Sequence, residues 1–329
     1  MANSYSSLIS IENLFQAWEE FKKGKRGKKD VQVFERHLED NLFDLHLKLK
    51  NKSYQHGTYS EFYVNDPKRR HIHKAKVEDR IVHHLLYKYL YKIFDKTFIS
   101  DSYSCRIGKG THKAVEKLEK FSRIVSKNYR RDFWALKLDI KQFFASVDHG
   151  ILKNLIRKKI NDQNILWLID DVIDSFQKGI PLGNLTSQIF ANIYLNELDQ
   201  FIKHKLNVKY YLRYADDFLI LDLNMNVLLQ LIDRLDYFLQ KKLRLELHPN
   251  KITLRRFSWG IDFCGYIVLP HYRLPRTKTK RRILKKVLKE EIPNQALQSY
   301  LGYLSHAKSY YVSQSIKNIF FLKTNLPRS

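Results

Sequence analysis

The stretch whose reading decides the fold is Tyr211 to Leu221, YLRYADDFLIL. Two apolar runs fit for a protein interior meet at adjacent carboxylates, Asp216 and Asp217. At about 4 Å two such charges repel by ~1 kcal/mol in water and by ~4 kcal/mol at an intermediate effective dielectric. Something positive is therefore needed beside them. The alternation reads as two strands meeting at Ala215 to Asp217, with both acids at a hairpin tip and Phe218 to Leu221 descending into the core.

Working outward, a second acid closes an apolar strand. In FWALKLDIKQFFASVDHGILKNLIRKKI, Phe133 to Ile140 is aromatic and aliphatic enough for a buried strand, interrupted near its end by Asp139. Asp148 is placed to cap a following helix that carries Ile151, Leu152, Leu155, Ile156 and Ile160. Between the two acidic sites, GIPLGNLTSQIFANIYLNELDQFIKHKL opens with Gly179, Pro181 and Gly183. It then offers Thr186 and Ser187 as helix caps ahead of Ile189, Ile193, Phe201 and Ile202 on a helical period. If the two acid-bearing strands are neighbours, Asp139, Asp216 and Asp217 share one small volume. Hard divalent cations such as Mg²⁺ bind through carboxylates and substrate phosphates. Two such ions ~4 Å apart stabilise both the attacking and the leaving oxygen of a phosphoryl displacement.

Composition agrees with a nucleic-acid partner. The 329 residues are 44% hydrophobic, enough for a sizeable core, and 59 Lys and Arg against 34 Asp and Glu leave a formal charge of +25. No run of ~18 apolar residues suggests a membrane span. The N-terminal SLISIENLFQAWEEFKKGKRGKK mixes acids with apolar residues, as an amphipathic helix does and a signal peptide does not, so a cytoplasmic protein without a membrane partner is expected. Cys105 and Cys264 cannot make a four-ligand zinc site and read as buried thiols. His71 and His73, like His83 and His84, stand in basic, cysteine-free surroundings that suit phosphate-facing or surface roles over metal ligation.

The first ~65 residues read as helical, ending near NKSYQHGTYS, where Gly57 and the polar cluster signal a loop. NDPKRRHIHKAKVEDRIVHHLLYKYLYKIF then passes from Lys68, Arg69 and Arg70 into a helix with Ile81, Leu85, Tyr89 and Ile93 every fourth residue. Those arginines precede the helix instead of lining its outer face, which favours phosphate contact. LRLELHPNKITLRRFSWGIDFCGYIVLP alternates like short strands with a Pro-Asn turn before Lys251. From Arg273 to Lys289 nine basic residues occur without an acid, and a Leu- and Tyr-rich segment follows, so the run coats one face of a C-terminal helical lobe.

The ordered set resembles the reverse transcriptases: an acid closing an apolar strand, PLGNLTSQ heading a helix, YADD in a hairpin, a Lys-bearing turn, then FCGY. The resemblance runs from about Pro67 to the C-terminus. It implies an α+β right-hand polymerase with an antiparallel palm sheet, mixed fingers and a helical basic thumb. The corresponding divisions are an N-terminal helical extension (1–65), fingers (66–133), palm (134–150), fingers again (151–180), palm again (181–270) and thumb (271–329). The activity implied is RNA-directed DNA polymerisation, a nucleotidyl transfer from dNTPs to a primer 3′-hydroxyl along a template RNA. Asp139, Asp216 and Asp217 would be the ligands of two Mg²⁺ ions, with Mn²⁺ able to substitute. Lys251 matches the lysine that assists the leaving phosphate. Lys68 and Arg70 match residues touching the incoming triphosphate, and Arg80 a family arginine of the same lobe. Phe144 falls where a bulky aromatic excludes the ribose 2′-hydroxyl. Gly183 and Gln188 belong to the loop and helix start beneath the nascent base pair.

Within the family, LGNLTSQ with Gln188, SCRIGKGTH and SYLGYLSHAKSYY look like the enzymes of diversity-generating retroelements. That likeness implies error-prone cDNA synthesis at adenines, a template RNA, a cDNA or primer strand, and a small basic pentameric accessory protein. A bacterial anti-phage defence reverse transcriptase would share every motif. A catalytically silent RNA-binding protein on the polymerase fold is disfavoured by the three retained acids, and an RNA-synthesising polymerase by Phe144.

Overall fold

The computed structural model describes residues 4–65, 68–289 and 292–325. Asp66 and Pro67, part of the basic stretch read as fingers, lie outside the described residues. Four helices, α1 (Tyr5–Leu8), α2 (Ile11–Lys22), α3 (Lys29–Arg36) and α4 (Leu38–Lys50), precede the strands β1 (Ser60–Val64) and β2 (Arg70–Lys74). Next come α5 (Val77–Phe94), α6 (Thr111–Val125), β3 (Trp134–Asp139), α7 (Phe143–Ser146), α8 (His149–Arg157), α9 (Gln163–Asp174) and α10 (Leu185–Gln200). The hairpin β4 (Tyr211–Tyr214) and β5 (Asp217–Asp222) leads to α11 (Met225–Leu243), β6 (Thr253–Arg256), β7 (Ile261–Phe263), β8 (Tyr266–Leu269) and β9 (Tyr272–Pro275). The last elements are α12 (Thr277–Lys289), α13 (Asn294–Ser305) and α14 (Tyr310–Asn325).

The chain divides into two compact units, each assembled from three segments. The first comprises Met1–Ser100, Ile140–Asn207 and Leu235–His248. Here α2 packs on α5 and α5 on α10, burying Leu14, Trp18 and Phe21 against a helix whose Val82, Leu86 and Leu90 are fully enclosed. The strict four-residue spacing expected for α5 drifts off the 3.6-residue turn, so Ile81 and Leu85 are buried while Tyr89 and Ile93 reach the partly exposed flank. Asp148 caps α8 as expected, its Oδ1 accepting from the Ile151 amide at 2.9 Å. Gly179 adopts φ +73°, and a Cβ there would stand 2.3 Å from the Phe144 carbonyl oxygen, so only glycine fits this crossing of chains.

Some expectations for this unit are corrected. Helix ends at Lys50, where NKSYQHGTYS signals the loop, but Ser60–Val64, counted within the helical extension, is a strand paired antiparallel with Arg70–Lys74. Its aromatic and β-branched SEFYV has all five residues exposed and no apolar helical face to bury. The N-cap of α10 is Asn184, not Thr186 or Ser187, which are buried in the first turn. Asn184 turns its amide outward from the helix to donate to the His73 carbonyl at 2.9 Å. His83, expected at a surface or phosphate, is wholly buried within ring-stacking distance of His56, and burial holds its imidazole well below the ordinary pKa.

The second unit comprises Asp101–Asp139, Val208–Arg234 and Pro249–Ser329. Its centre is a four-stranded antiparallel sheet in the order β4-β5-β3-β6. Leu118 and Phe121 of α6 join Ala135, Leu212, Leu219 and Leu221 of the sheet in one core. A smaller sheet, β7-β8-β9, shares that core through Phe263, Tyr266 and Val268. The FCGY motif is its first turn: Phe263 pairs with Tyr266, leaving a two-residue loop in which Cys264 and Gly265 both have positive φ, 46° and 90°. This is the turn whose twist suits a two-residue hairpin. Beyond the sheets, Ile283 and Val287 of α12, Leu297 and Leu304 of α13 and Ile316 of α14 form a separate helical core that leaves the basic residues of α12 outside it. Cys105 is exposed and Cys264 half-buried, so neither is the fully interior thiol expected; both occupy left-handed turn conformations that put the backbone first. No helix among the described residues is long and apolar enough to cross a membrane.

Candidate active site

The strand register brings the acids together. β3 and β5 pair antiparallel with Asp139 directly opposite Asp217, and Tyr214 opposite Asp217 closes the β4–β5 hairpin over Ala215 and Asp216. Directly opposed antiparallel residues have Cα atoms about 4.5–5.5 Å apart. Ala215 takes φ +55°, a left-handed conformation that costs a side-chain-bearing residue strain. The turn is held from below by Arg213, fully buried, which donates from Nη1 to the Ala215 carbonyl at 3.0 Å. Arg213 is also fixed through its backbone, donating to the Asp101 carbonyl at 2.9 Å and accepting from the Tyr103 amide at 2.9 Å.

Asp139 is 9% exposed. Burial raises the Asp216 carboxyl above its ordinary pKa, and the charges of Asp139 and Asp217 push the same way. Burial likewise raises Asp217; Lys137 opposes the shift and Asp139 adds to it. Two lysines supply the nearest positive charge: Lys251 donates to Asp139 Oδ1 at 2.6 Å, and Lys137 lies 3.3 Å from Asp217 Oδ2. Lys137, Asp139, Asp217, Lys251, Arg255 and Arg276 line a cleft of about 430 Å³.

The donor set suits a hard divalent cation: carboxylate oxygens concentrated at one end of a sheet, each disfavouring the charge of the next, and only partly neutralised by ammonium groups. Among the described residues, the group of three ligand side chains whose donor atoms close to within 4.8 Å is a different one, Glu61 with His71 and His73.

The other residues singled out in sequence belong to the first unit. Arg70 opens β2 and is exposed, as is Lys68 in the connection before it. Gly183, with φ +113°, leaves room for Ile72, whose Cγ2 a Cβ would approach to 2.8 Å. Gln188 is exposed on the first turn of α10. Phe144 is half-buried, edge-on to the buried Phe143 at 5.4 Å, and its carbonyl accepts from the Ile180 amide at 2.8 Å. Arg80 is engaged internally: its guanidinium pairs with Asp30 of α3 and covers the Phe21 ring at 4.8 Å. Its nearest charge is thus a carboxylate of its own unit.

Lys137 and Arg213 were not anticipated. Strand alternation carried the signal for Lys137, which stands two residues before Asp139 and so shares its face. Nothing local marks Arg213, whose burial depends on the chain at Asp101 to Tyr103.

A helix-backed antiparallel sheet with acids at a hairpin tip and at the end of the adjacent strand defines the palm of a nucleic-acid polymerase. The profile of the reverse transcriptase (RNA-dependent DNA polymerase) family matches residues 64–268, and the chain belongs to that family. It is 24% identical over 323 aligned positions to the group II intron-encoded protein LtrA of Lactococcus lactis subsp. cremoris, covering 74% of this chain and 51% of that protein. To the retron Ec73 reverse transcriptase of Escherichia coli it is 27% identical over 213 positions, covering 56% of this chain and 66% of the other. The chain thus spans less than two thirds of either relative. Among solved structures, telomerase from Candida albicans in complex with a fragment of telomeric RNA shares the fold with a TM-score of 0.54 at 12% identity, over 83% of this chain and 56% of the other.

Proposed function

We propose that the protein is an RNA-directed DNA polymerase that extends a primer along a template RNA by metal-assisted phosphoryl transfer. The observation that carries the reading is the register of Asp139 opposite Asp217, with Asp216 in the adjoining turn. Asp139, Asp216 and Asp217 would hold two Mg²⁺ ions, which when bound neutralise charge building on the attacking and leaving oxygens. Lys251 and Lys137 put positive charge beside Asp139 and Asp217, and Lys251 would give charge or a proton to departing pyrophosphate. Lys68 and Arg70 would meet the triphosphate, Phe144 would reject a 2′-hydroxyl, and Gly183 and Gln188 would support the nascent pair. Arg80 supports the fingers through Asp30.

The finer reading is error-prone synthesis in a diversity-generating retroelement, supported by LGNLTSQ with Gln188, SCRIGKGTH and SYLGYLSHAKSYY. Its partners would be a template RNA and a small basic pentameric accessory protein. The test is extension of a primer on a defined RNA template with dNTPs and Mg²⁺, followed by sequencing of the product. The expected product is complementary DNA with substitutions concentrated opposite template adenines. Evenly distributed errors would refute the retroelement reading alone; no product on any RNA template, with or without added basic protein, would refute the polymerase reading.

A further inference from the structure

The β1–β2 hairpin carries a cluster that polymerase chemistry leaves unused. Its register sets Glu61 opposite His73 and Tyr63 opposite His71, and residues two apart on a strand share a face. Glu61, Tyr63, His71 and His73 therefore stand together. Glu61 Oε2 lies 3.0 Å from His71 Nε2, and Glu61 Oε1 lies 3.7 Å from His73 Nε2. Two donors on a tetrahedral ion with ~2.0–2.1 Å bonds stand about 3.4 Å apart. The two separations bracket that value and all three donors lie within 4.8 Å of one another, so a cation could enter with adjustment of the exposed Glu61 carboxylate.

The rings are held in place. His71 stacks on Tyr63 with centroids 4.5 Å apart and planes 9° from parallel, and His73 meets the Phe176 ring edge-on at 4.7 Å. The His73 backbone is tied on both sides, its amide donating to the Leu182 carbonyl at 3.0 Å and its carbonyl accepting from Asn184 Nδ2 at 2.9 Å. Both rings turn Nε2 toward Glu61, while His73 Nδ1 is buried on the far side of its ring. Glu61 is exposed and His71 half-exposed, so the cluster is open to an ion from solvent.

We propose that Glu61, His71 and His73 form a binding site for a borderline divalent transition cation of the Zn²⁺ type, with solvent completing its shell. Two imidazole nitrogens and one carboxylate select such an ion over Mg²⁺, which prefers oxygen throughout. The ion would clamp β1 to β2 across the connection that holds Lys68. The site does not depend on the polymerase reading.

The experiment is a titration of the 329-residue protein, stripped with chelator, with Co²⁺ in excess Mg²⁺, following visible d–d absorption and confirming stoichiometry with Zn²⁺ by calorimetry. One equivalent is expected, retained in full by Asp216→Asn. Affinity should fall at least ~100-fold in His71→Gln and in His73→Gln, with circular dichroism unchanged in the exposed-side His71→Gln. No stoichiometric binding by the unaltered protein, undiminished binding by His71→Gln, or loss in Asp216→Asn would each overturn the proposal.

Discussion

Phe144 and Lys137 show what single residues disclose and conceal. Phe144 stands out only through the resemblance to reverse transcriptases, which keep a bulky aromatic there, and the structure leaves its ring half-buried against Phe143. If it excludes the 2′-hydroxyl, Phe144→Ala should narrow the preference for dNTP over rNTP by roughly 10–200-fold, the range that pocket size alone achieves. The ratio of kcat/KM values for the two sugars measures this. An unaltered ratio would remove Phe144 from sugar selection. Lys137 was hidden by its neighbours, since the strand around it reads as buried and its interruption as the acid Asp139. The pairing of β3 with β5 puts Lys137 on the face of Asp139 and Asp217, 3.3 Å from Asp217 Oδ2. Cys105 and Cys264 misled for the opposite reason: interior preference belongs to the thiol, whereas both positions are governed by turns that need positive φ.

At the scale of elements, period and punctuation were legible where they act locally. The β4–β5 hairpin, the strand ending in Asp139 and the cap of α8 follow from alternation and from Asp148 preceding a helical period. Asp148 also pairs with Arg244 at 2.6 Å. Burial works to raise this carboxyl, but the Ile151 amide and Arg244 outweigh it and leave the pKa below its ordinary value. Asp148→Ala should cost ~1 kcal/mol at neutral pH, as lost N-caps do. Asp148→Asn, which keeps the cap and loses only an exposed ion pair, should cost less. Because the folded pKa is the lower one, the stabilisation is complete above the unfolded value near 3.8 and is lost as pH falls through the folded value. Urea midpoints at pH 7 and at pH 3 should therefore show the gap between the unaltered protein and Asp148→Asn shrinking in acid; an equal gap at both pH values would contradict the assignment. β1 and the α10 cap escaped notice because pairing partners decide them: SEFYV becomes a strand through β2, and Asn184 faces His73, far off in the chain.

For the whole molecule, a charge of +25 and the basic face of α12 suit a polyanionic partner, and the proposed template–primer duplex would lie there. A duplex contacted at 6–10 phosphates loses ~10³–10⁵ in affinity between about 50 and 200 mM salt. Arg281→Ala and Lys285→Ala, exposed one turn apart on α12, should each lower the slope of log affinity against log salt by about 1. Fluorescence anisotropy with a labelled template–primer reads that slope, and an unchanged slope would place the duplex elsewhere. Order along the chain made the polymerase class visible, because the acids, the PLGN loop and FCGY keep one sequence; the two units, each built from three separate segments, were not visible, since contacts between distant segments leave no local pattern. The central claim concerns the carboxylates, and single-nucleotide incorporation by Asp216→Asn on an RNA template tests it most directly. Removing one preorganised charge of this kind costs on the order of 10²–10³ in rate, so incorporation should fall at least that far while template–primer affinity stays within about twofold; incorporation at the unaltered rate would contradict the account.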